Sequence, residues 1–356
     1  MKKIFRTVAA VCAISLLSGC SMIGESEKAI KKKEAENAIV TIDGESYSKE
    51  RFSYYFYNEQ DELLTKAGIT DTASISKDFW QQKTDGKTAL EIAKENALAA
   101  MVEDVLKYKK AINEGVKLTT EEQNYITSQI GQMKQNDSIM SQIKQIGTDI
   151  ETYTELYTES RYIQKLIMKY IEEGKIKVDE AAAKSEFESK YVKAKHILFL
   201  TQDNSTNQPL SDEEIAKKKE LAEQTLAKIR AGGDFDELMN QYSEDPGLKS
   251  APDGYVFTTG QMVQEFEDSA FSLKENQVSG IVQTSYGYHI IKRVPFDMNG
   301  TQEKEYMSEI EYNMATPEVD KLTKKWKADA KIDVNDKIYD AVKPTIVNNG
   351  TSGNNQ

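Results

Sequence analysis

The chain has 356 residues and carries 58 Asp and Glu against 46 Lys and Arg, a formal net charge of −12. That balance gives no electrostatic footprint for nucleic acid and does not draw the chain as a whole to an anionic membrane. With two cysteines, Cys12 and Cys20, there is no disulfide framework, so stability has to come from packed cores. The length allows two or three domains with sizeable cores.

Residues 1–20 read as a targeting segment. Lys2, Lys3 and Arg6 form a basic start, and residues 8–17 form an apolar run too short to span a bilayer as a mature helix. The segment closes Leu17-Ser18-Gly19-Cys20, which resembles a bacterial lipobox. The resemblance implies a leader over 1–19 and a lipid on Cys20; an ordinary secretory signal with a chance cysteine is the alternative. Residues 20–37 are polar, include Lys31-Lys32-Lys33, and read as a solvated tether.

Residues 38–45 predict a short strand ending in the Asp43-Gly44 turn. Ser48 can cap a helix over about 51–64 that carries Phe52, Tyr54, Tyr55, Phe56 and Tyr57, more aromatics than one helical face can bury. They are core against neighbouring helices or part of a binding concavity, and core is the better reading. Leu90, Ala93, Ala97, Met101, Val105 and Tyr108 stand at helical spacing and predict a long helix over about 86–114, stopped by Gly115. Thr119 and Glu122 form a capping box for a polar helix running to about 146, where Gly147 breaks it. The stripe Ile150, Tyr153, Leu156, Ile163, Leu166 and Tyr170 marks a third long helix over 149–172, closed by Gly174. A shorter helix over 178–191 follows.

Residues 194–294 hold both histidines of the protein. His196 lies in Ala194-Lys195-His196-Ile197-Leu198-Phe199-Leu200 and His289 in Thr284-Ser285-Tyr286-Gly287-Tyr288-His289-Ile290-Ile291-Lys292, alternating apolar runs that read as buried strands. An imidazole inside a strand costs free energy unless its nitrogens find partners, so two of them in one module suggest a shared polar site. Between them a long helix over 211–231, a short helix over 235–242, a loop and a short helix over 263–271 are predicted. Beyond the module, helices are predicted over 303–313 and 316–331, the second with Pro317 at its first position. A short apolar run at 334–342 and a disordered tail over 344–356 end the chain.

With its Ala-Lys-His-Ile-Leu run, the Phe235-x-x-Leu238…Tyr242-Ser243-x-Asp245 run and Tyr286-Gly287-Tyr288-His289-Ile290-Ile291, the module resembles the parvulin family of peptidyl-prolyl isomerases. With the lipobox and helical flanks it resembles the PrsA-type foldase lipoproteins of Gram-positive bacteria. The resemblance implies an α+β protein in which a mostly helical, chaperone-like body, 38–190 plus 300–343, is interrupted by a parvulin module at 191–296 with a small antiparallel sheet flanked by helices. It implies a polar catalytic cluster of His196, Asp245, Thr284 and His289, and a proline pocket lined by Met262 and Phe266 with Phe257 beneath. Whether Asp245 acts by charge or as a protonated donor stays open. No cofactor or metal is implied, since turning an amide breaks no bond, and no close His/Asp/Glu spacing suggests a metal site.

The implied partners are unfolded or partly folded exported proteins and the membrane, through lipid on Cys20 at the extracytoplasmic face; a homodimer is left open and nucleic acid is excluded. Tyr54, Tyr57 and Phe79 are candidates for client contact, with buried core as the alternative for each. The chain departs from the parvulin pattern at Gly254, in place of a pocket leucine, at Tyr255, in place of a glycine, and at Val263 and Tyr286. A shallower pocket and weaker turnover would follow unless the loop re-packs. The segment 202–214 lacks a basic cluster and carries Asp203, Asp212, Glu213 and Glu214, which argues against a preference for phosphorylated substrates. The competing function is a non-enzymatic holdase with a weak or inactive module.

Overall fold

The computed structural model describes residues 38–346 apart from Asn204 and Asn207. The leader, Cys20, the tether and the end of the tail lie outside the described residues. The described chain divides into two units, 38–177 with 315–346, and Val178–Met314.

The first unit opens with a hairpin of β1 (Ala38–Ile42) and β2 (Glu45–Ser48). Its turn places Asp43 at φ 51° and Gly44 at φ 86°, as a two-residue turn matched to strand twist requires. The other edge of β1 pairs antiparallel with Ile332–Val334, so strands some 290 residues apart in sequence share one sheet. The helix Lys49–Lys66 begins at Ser48, whose side chain accepts from the Arg51 amide. A two-strand ladder, β3 (Lys83–Thr84) and β4 (Lys87–Thr88), leads to the helix Ala89–Asn113, which starts on a Thr88/Glu91 capping box.

These two helices pack with Ile150–Glu172 around a core that includes Phe52, Phe56, Met101, Leu156 and Leu166. Tyr54 and Phe79 are also buried and Tyr57 is half-buried, so the aromatic crowding serves the core and not an open concavity. An ion pair is buried with them: Arg51 grips Glu159 with both guanidinium nitrogens, Nη2 standing 2.6 Å from Oε1.

Three predicted helices come out differently. The polar helix predicted to run from Thr119 to 146 is two helices, Thr120–Lys134 and Asp137–Ile146. The first ends at Gln135, and Asn136 caps the second, its Oδ1 accepting from the amides of Ser138 and Ile139. A side chain able to bond its own backbone competes with helix continuation. Conversely, the two helices predicted beyond 300 are one, Thr301–Asp329, with Pro317 inside it. A proline there removes one main-chain bond, and burial of Ile310, Ala315, Val319 and Thr323 along the helix outweighs that loss.

The second unit is built on a four-stranded antiparallel sheet in the order β6-β5-β8-β7, formed by β5 (Tyr191–Leu200), β6 (Tyr255–Thr258), β7 (Val278–Gln283) and β8 (Gly287–Val294). Strand β6 is absent from the sequence expectation; its four residues sit among turn residues and carry no readable period. On β5 the side chains alternate. Ile197 and Phe199 face the helices Asp212–Arg230 and Phe235–Tyr242, while Val192 and Ala194 face the helix Gln264–Ser272 through Phe266 and Ala270. The helix Glu180–Lys190 and the start of Thr301–Asp329 also pack on this unit, through Phe187, Tyr306 and Ile310.

Candidate active site

The face of the sheet under Gln264–Ser272 carries both histidines. In the β5–β8 ladder His196 pairs with Ile291 and Leu198 pairs with His289, so the two imidazoles are diagonal neighbours on one face. Their ring centroids stand 5.3 Å apart at 60°. Phe266 closes over both, edge-on at 5.1 Å from His196 and 5.4 Å from His289. Phe257 lies beneath Phe266 at 5.8 Å and is itself buried. Met262 is half-buried at the rim of the same cluster.

Thr284, just past the end of β7, brings Oγ1 to 2.9 Å from Nε2 of His289. The first polar anchor of the site is therefore the one its sequence position suggests. Asp245 arrives by a different route. After the helix Phe235–Tyr242 the chain runs beside the free part of β5: Ser243 Oγ accepts from the Leu198 amide at 3.1 Å, and the Glu244 amide donates to the Leu198 carbonyl at 2.8 Å. This strand-like segment delivers Asp245, whose Oδ2 lies 3.7 Å from His196 Nε2. All four residues of the expected polar cluster are thus brought together.

Burial pushes both imidazoles toward the neutral form. His289 is driven down to about 3, by desolvation first and by the neighbouring His196 second, with Asp245 opposing. His196 is lowered by burial against the pull of Asp245. Neither Nδ1 has a hydrogen-bond partner among the described residues. The Thr284–His289 contact is not a nucleophile–base pair of the hydrolytic kind: Thr284 is buried, and among the described residues no third group orients His289 through Nδ1. Among the described residues, no group of three or more His, Cys, Asp and Glu side chains gathers into a possible metal site.

The departures from the family pattern acquire reasons. Gly254 has φ 96°, and a Cβ there would stand 2.6 Å from the Ala194 carbonyl oxygen, so the backbone of β5 and not a missing pocket side chain selects glycine. Tyr255 turns its hydroxyl onto Asp245 Oδ2 at 2.7 Å and lays its ring 5.9 Å from His196 at 21°. From sequence it is only a bulky residue in a glycine's place; the hydrogen bond depends on a loop closure that no local pattern reports. Val263 precedes the helix Gln264–Ser272 as its cap and joins the Phe257/Phe266 cluster. Tyr286 holds its ring outward, 48% exposed, while its amide donates to Thr284 Oγ1 at 3.1 Å.

An antiparallel sheet with two diagonal histidines, a buried threonine, a carboxylate and an aromatic wall defines a parvulin-like module, and residues 177–294 match the family profile of the PPIC-type PPIase domain. Among curated proteins, the chain is 29% identical over 317 residues to the foldase protein PrsA of Caldanaerobacter subterraneus subsp. tengcongensis, covering 86% of this chain and 90% of that one. It is 32% identical over 237 residues to foldase protein PrsA 4 of Bacillus cereus, covering 64% of this chain and 72% of its relative. The match to PrsA of a Geobacillus strain, 40% identical, spans about half of that protein, 49%. A crystal structure of PrsA from Bacillus subtilis aligns over 72% of this chain and 94% of its own at 28% identity, but its TM-score of 0.35 adds no weight. The chain belongs to the PrsA foldase family, and its second unit contains a parvulin-type peptidyl-prolyl cis-trans isomerase domain.

Proposed function

We propose that the protein is a lipid-anchored foldase on the extracytoplasmic face of the cell membrane, which speeds X-Pro isomerisation in exported chains at the His196/Asp245/Thr284/His289 site. The observation that carries the catalytic part is the packing of two neutral, buried imidazoles, a threonine hydroxyl and a carboxylate against one aromatic wall.

Turning an X-Pro bond means crossing a barrier of about 18–20 kcal/mol set by amide resonance. A catalyst need only bind the twisted amide better than the planar one. Met262, half-buried at the rim with Phe266 and Phe257 packed behind it, is the apolar side of the site that would take the pyrrolidine ring. The polar cluster beside them supplies dipoles fixed before substrate arrives, which a dry site makes effective on a carbonyl that loses its conjugation. His289, held by Thr284, and His196 act as uncharged imidazoles. Asp245 acts as an acceptor: Oδ1 takes the Gly247 amide at 3.0 Å and Oδ2 takes the Tyr255 hydroxyl at 2.7 Å. No proton has to be lost for the bond to turn.

The first unit, 38–177 with 315–346, is read as the part that holds unfolded segments, with the acyl chain on Cys20 as anchor. Among the described residues no helix is long and apolar enough to cross a membrane.

The test is cis/trans exchange of a short X-Pro peptide by protein lacking the leader, with folded His289→Ala and Asp245→Ala variants beside it. A clear rate that falls at least tenfold in both variants is expected. No rate above the uncatalysed one would leave a holdase with a retired module, to be judged by suppression of client aggregation. Replacement of Cys20 by Ala should release the protein from the membrane fraction.

A further inference from the structure

Tyr255 occupies a place from which it can act on the site through Asp245 and His196. It opens β6, where pairing with Ala194 of β5 fixes its backbone. Its hydroxyl donates at 2.7 Å to Oδ2 of Asp245, the same oxygen that stands 3.7 Å from His196 Nε2. Its ring lies nearly parallel to the His196 imidazole. The space for this arrangement comes from Gly247, where a Cβ would fall 2.1 Å from the Tyr255 hydroxyl oxygen. Gly247 in turn donates its amide to Asp245 Oδ1.

From this geometry we infer that Tyr255 is a positioning residue of the isomerase site, which fixes the Asp245 carboxylate beside His196 and braces the imidazole from the side. The inference rests on the isomerase reading above. Asp245 ends the strand-like segment beside β5 and lies outside any regular strand or helix, so no such element stops its side chain from rotating. Two donors on opposite oxygens, one from the turn and one from β6, remove that freedom before substrate binds. A carboxylate left to wander by an ångström forfeits most of its value to a reaction that depends on fixed dipoles. Packing alone does not account for the tyrosine: it is half-buried, and its hydroxyl, not its ring, is what reaches Asp245. Glycine at 247 and tyrosine at 255 thus form one device, and neither would serve without the other.

The experiment compares wild type, Tyr255→Phe, Asp245→Ala and the double variant by X-Pro peptide exchange, and records the imidazole proton NMR signals of each. The protein has two histidines, so the spectrum is simple. Tyr255→Phe keeps the ring and the strand. It is expected to lower kcat about tenfold with KM within about twofold, the size of effect one lost charge-assisted hydrogen bond can have. In the Asp245→Ala background it should lower kcat no further, because the group it positions is gone. The His196 signal should move in Tyr255→Phe, whereas the His289 signal should stay within its wild-type position.

A Tyr255→Phe rate equal to wild type, or an equal loss in both backgrounds, would overturn the positioning role while leaving the isomerase reading intact. An inactive wild type would overturn that reading, and unchanged histidine signals in Tyr255→Phe would then overturn the positioning role on their own.

Discussion

Thr284 Oγ1 stands 2.9 Å from His289 Nε2 and also accepts the Tyr286 amide at 3.1 Å. One hydroxyl therefore ties the tip of the β7–β8 turn to the buried ring. Thr284→Val keeps the shape and removes that oxygen, leaving Nε2 and the Tyr286 N–H without partners. A destabilisation of about 1–3 kcal/mol is expected from the unmet groups, read as a lower urea midpoint, together with loss of X-Pro exchange. Unchanged stability would mean that water or another side chain takes over both bonds.

The histidines make the module acid-sensitive. Burial holds His289 down to about 3 and lowers His196 in the same direction. In the unfolded chain each returns to about 6.5. Between these values the unfolded state binds more protons, so stability rises with pH. The contribution is fully present above about pH 6.5 and is lost progressively as pH falls toward the folded values. Between pH 7 and pH 5, His289 should account for about 1–2 kcal/mol of lost stability. Denaturant titrations at the two values check this, and a His289→Gln variant should show the flatter dependence.

Restoring the family's leucine at Gly254 should harm the module, not deepen its pocket. Any side chain there meets the Ala194 carbonyl from a positive-φ backbone. Gly254→Leu is expected to cost about 2–4 kcal/mol through strain and displacement of β5, and Gly254→Ala somewhat less. A thermal scan of both variants decides the point; a Gly254→Leu protein as stable as wild type would show that the loop re-packs freely.

In the first unit, the buried Arg51–Glu159 pair predicts a different sensitivity. Removing Glu159 strips both short bonds from a guanidinium that is 4% exposed and leaves it only the longer contact of Nη2 with Glu155 at 3.9 Å. Glu159→Ala should destabilise this unit by about 3–5 kcal/mol, whereas a joint replacement of both residues by apolar ones should cost far less. Unfolding followed by tryptophan fluorescence reports on this unit, because Trp80 and Trp326 both belong to it.

Local periodicity and helix-end signals in the chain encode much of the fold. Gly115, Gly147 and Gly174 do end helices, each at positive φ, because only glycine takes that backbone without strain. The two histidine-bearing strands were legible because alternation over eight or ten residues assigns every side chain to a face. Their meeting on one face followed only from register, which pairs His196 with Ile291 and Leu198 with His289.

Short or composite features stayed silent. Strand β6 has four residues and is defined by its bonds to β5, not by a period of its own. The pairing of Ile332–Val334 with β1 joins distant stretches, each too short to announce a partner.

By itself, then, the sequence determined most of the helices, though not the break at Asn136 or the continuity through Pro317, together with the two long strands and the residue types of the site, since these depend on neighbours a few positions away. Only tertiary structure decided that Gly254 yields to the backbone of β5 and that Tyr255 reaches Asp245 past Gly247. Those relations depend on close approach between segments that no local pattern brings together.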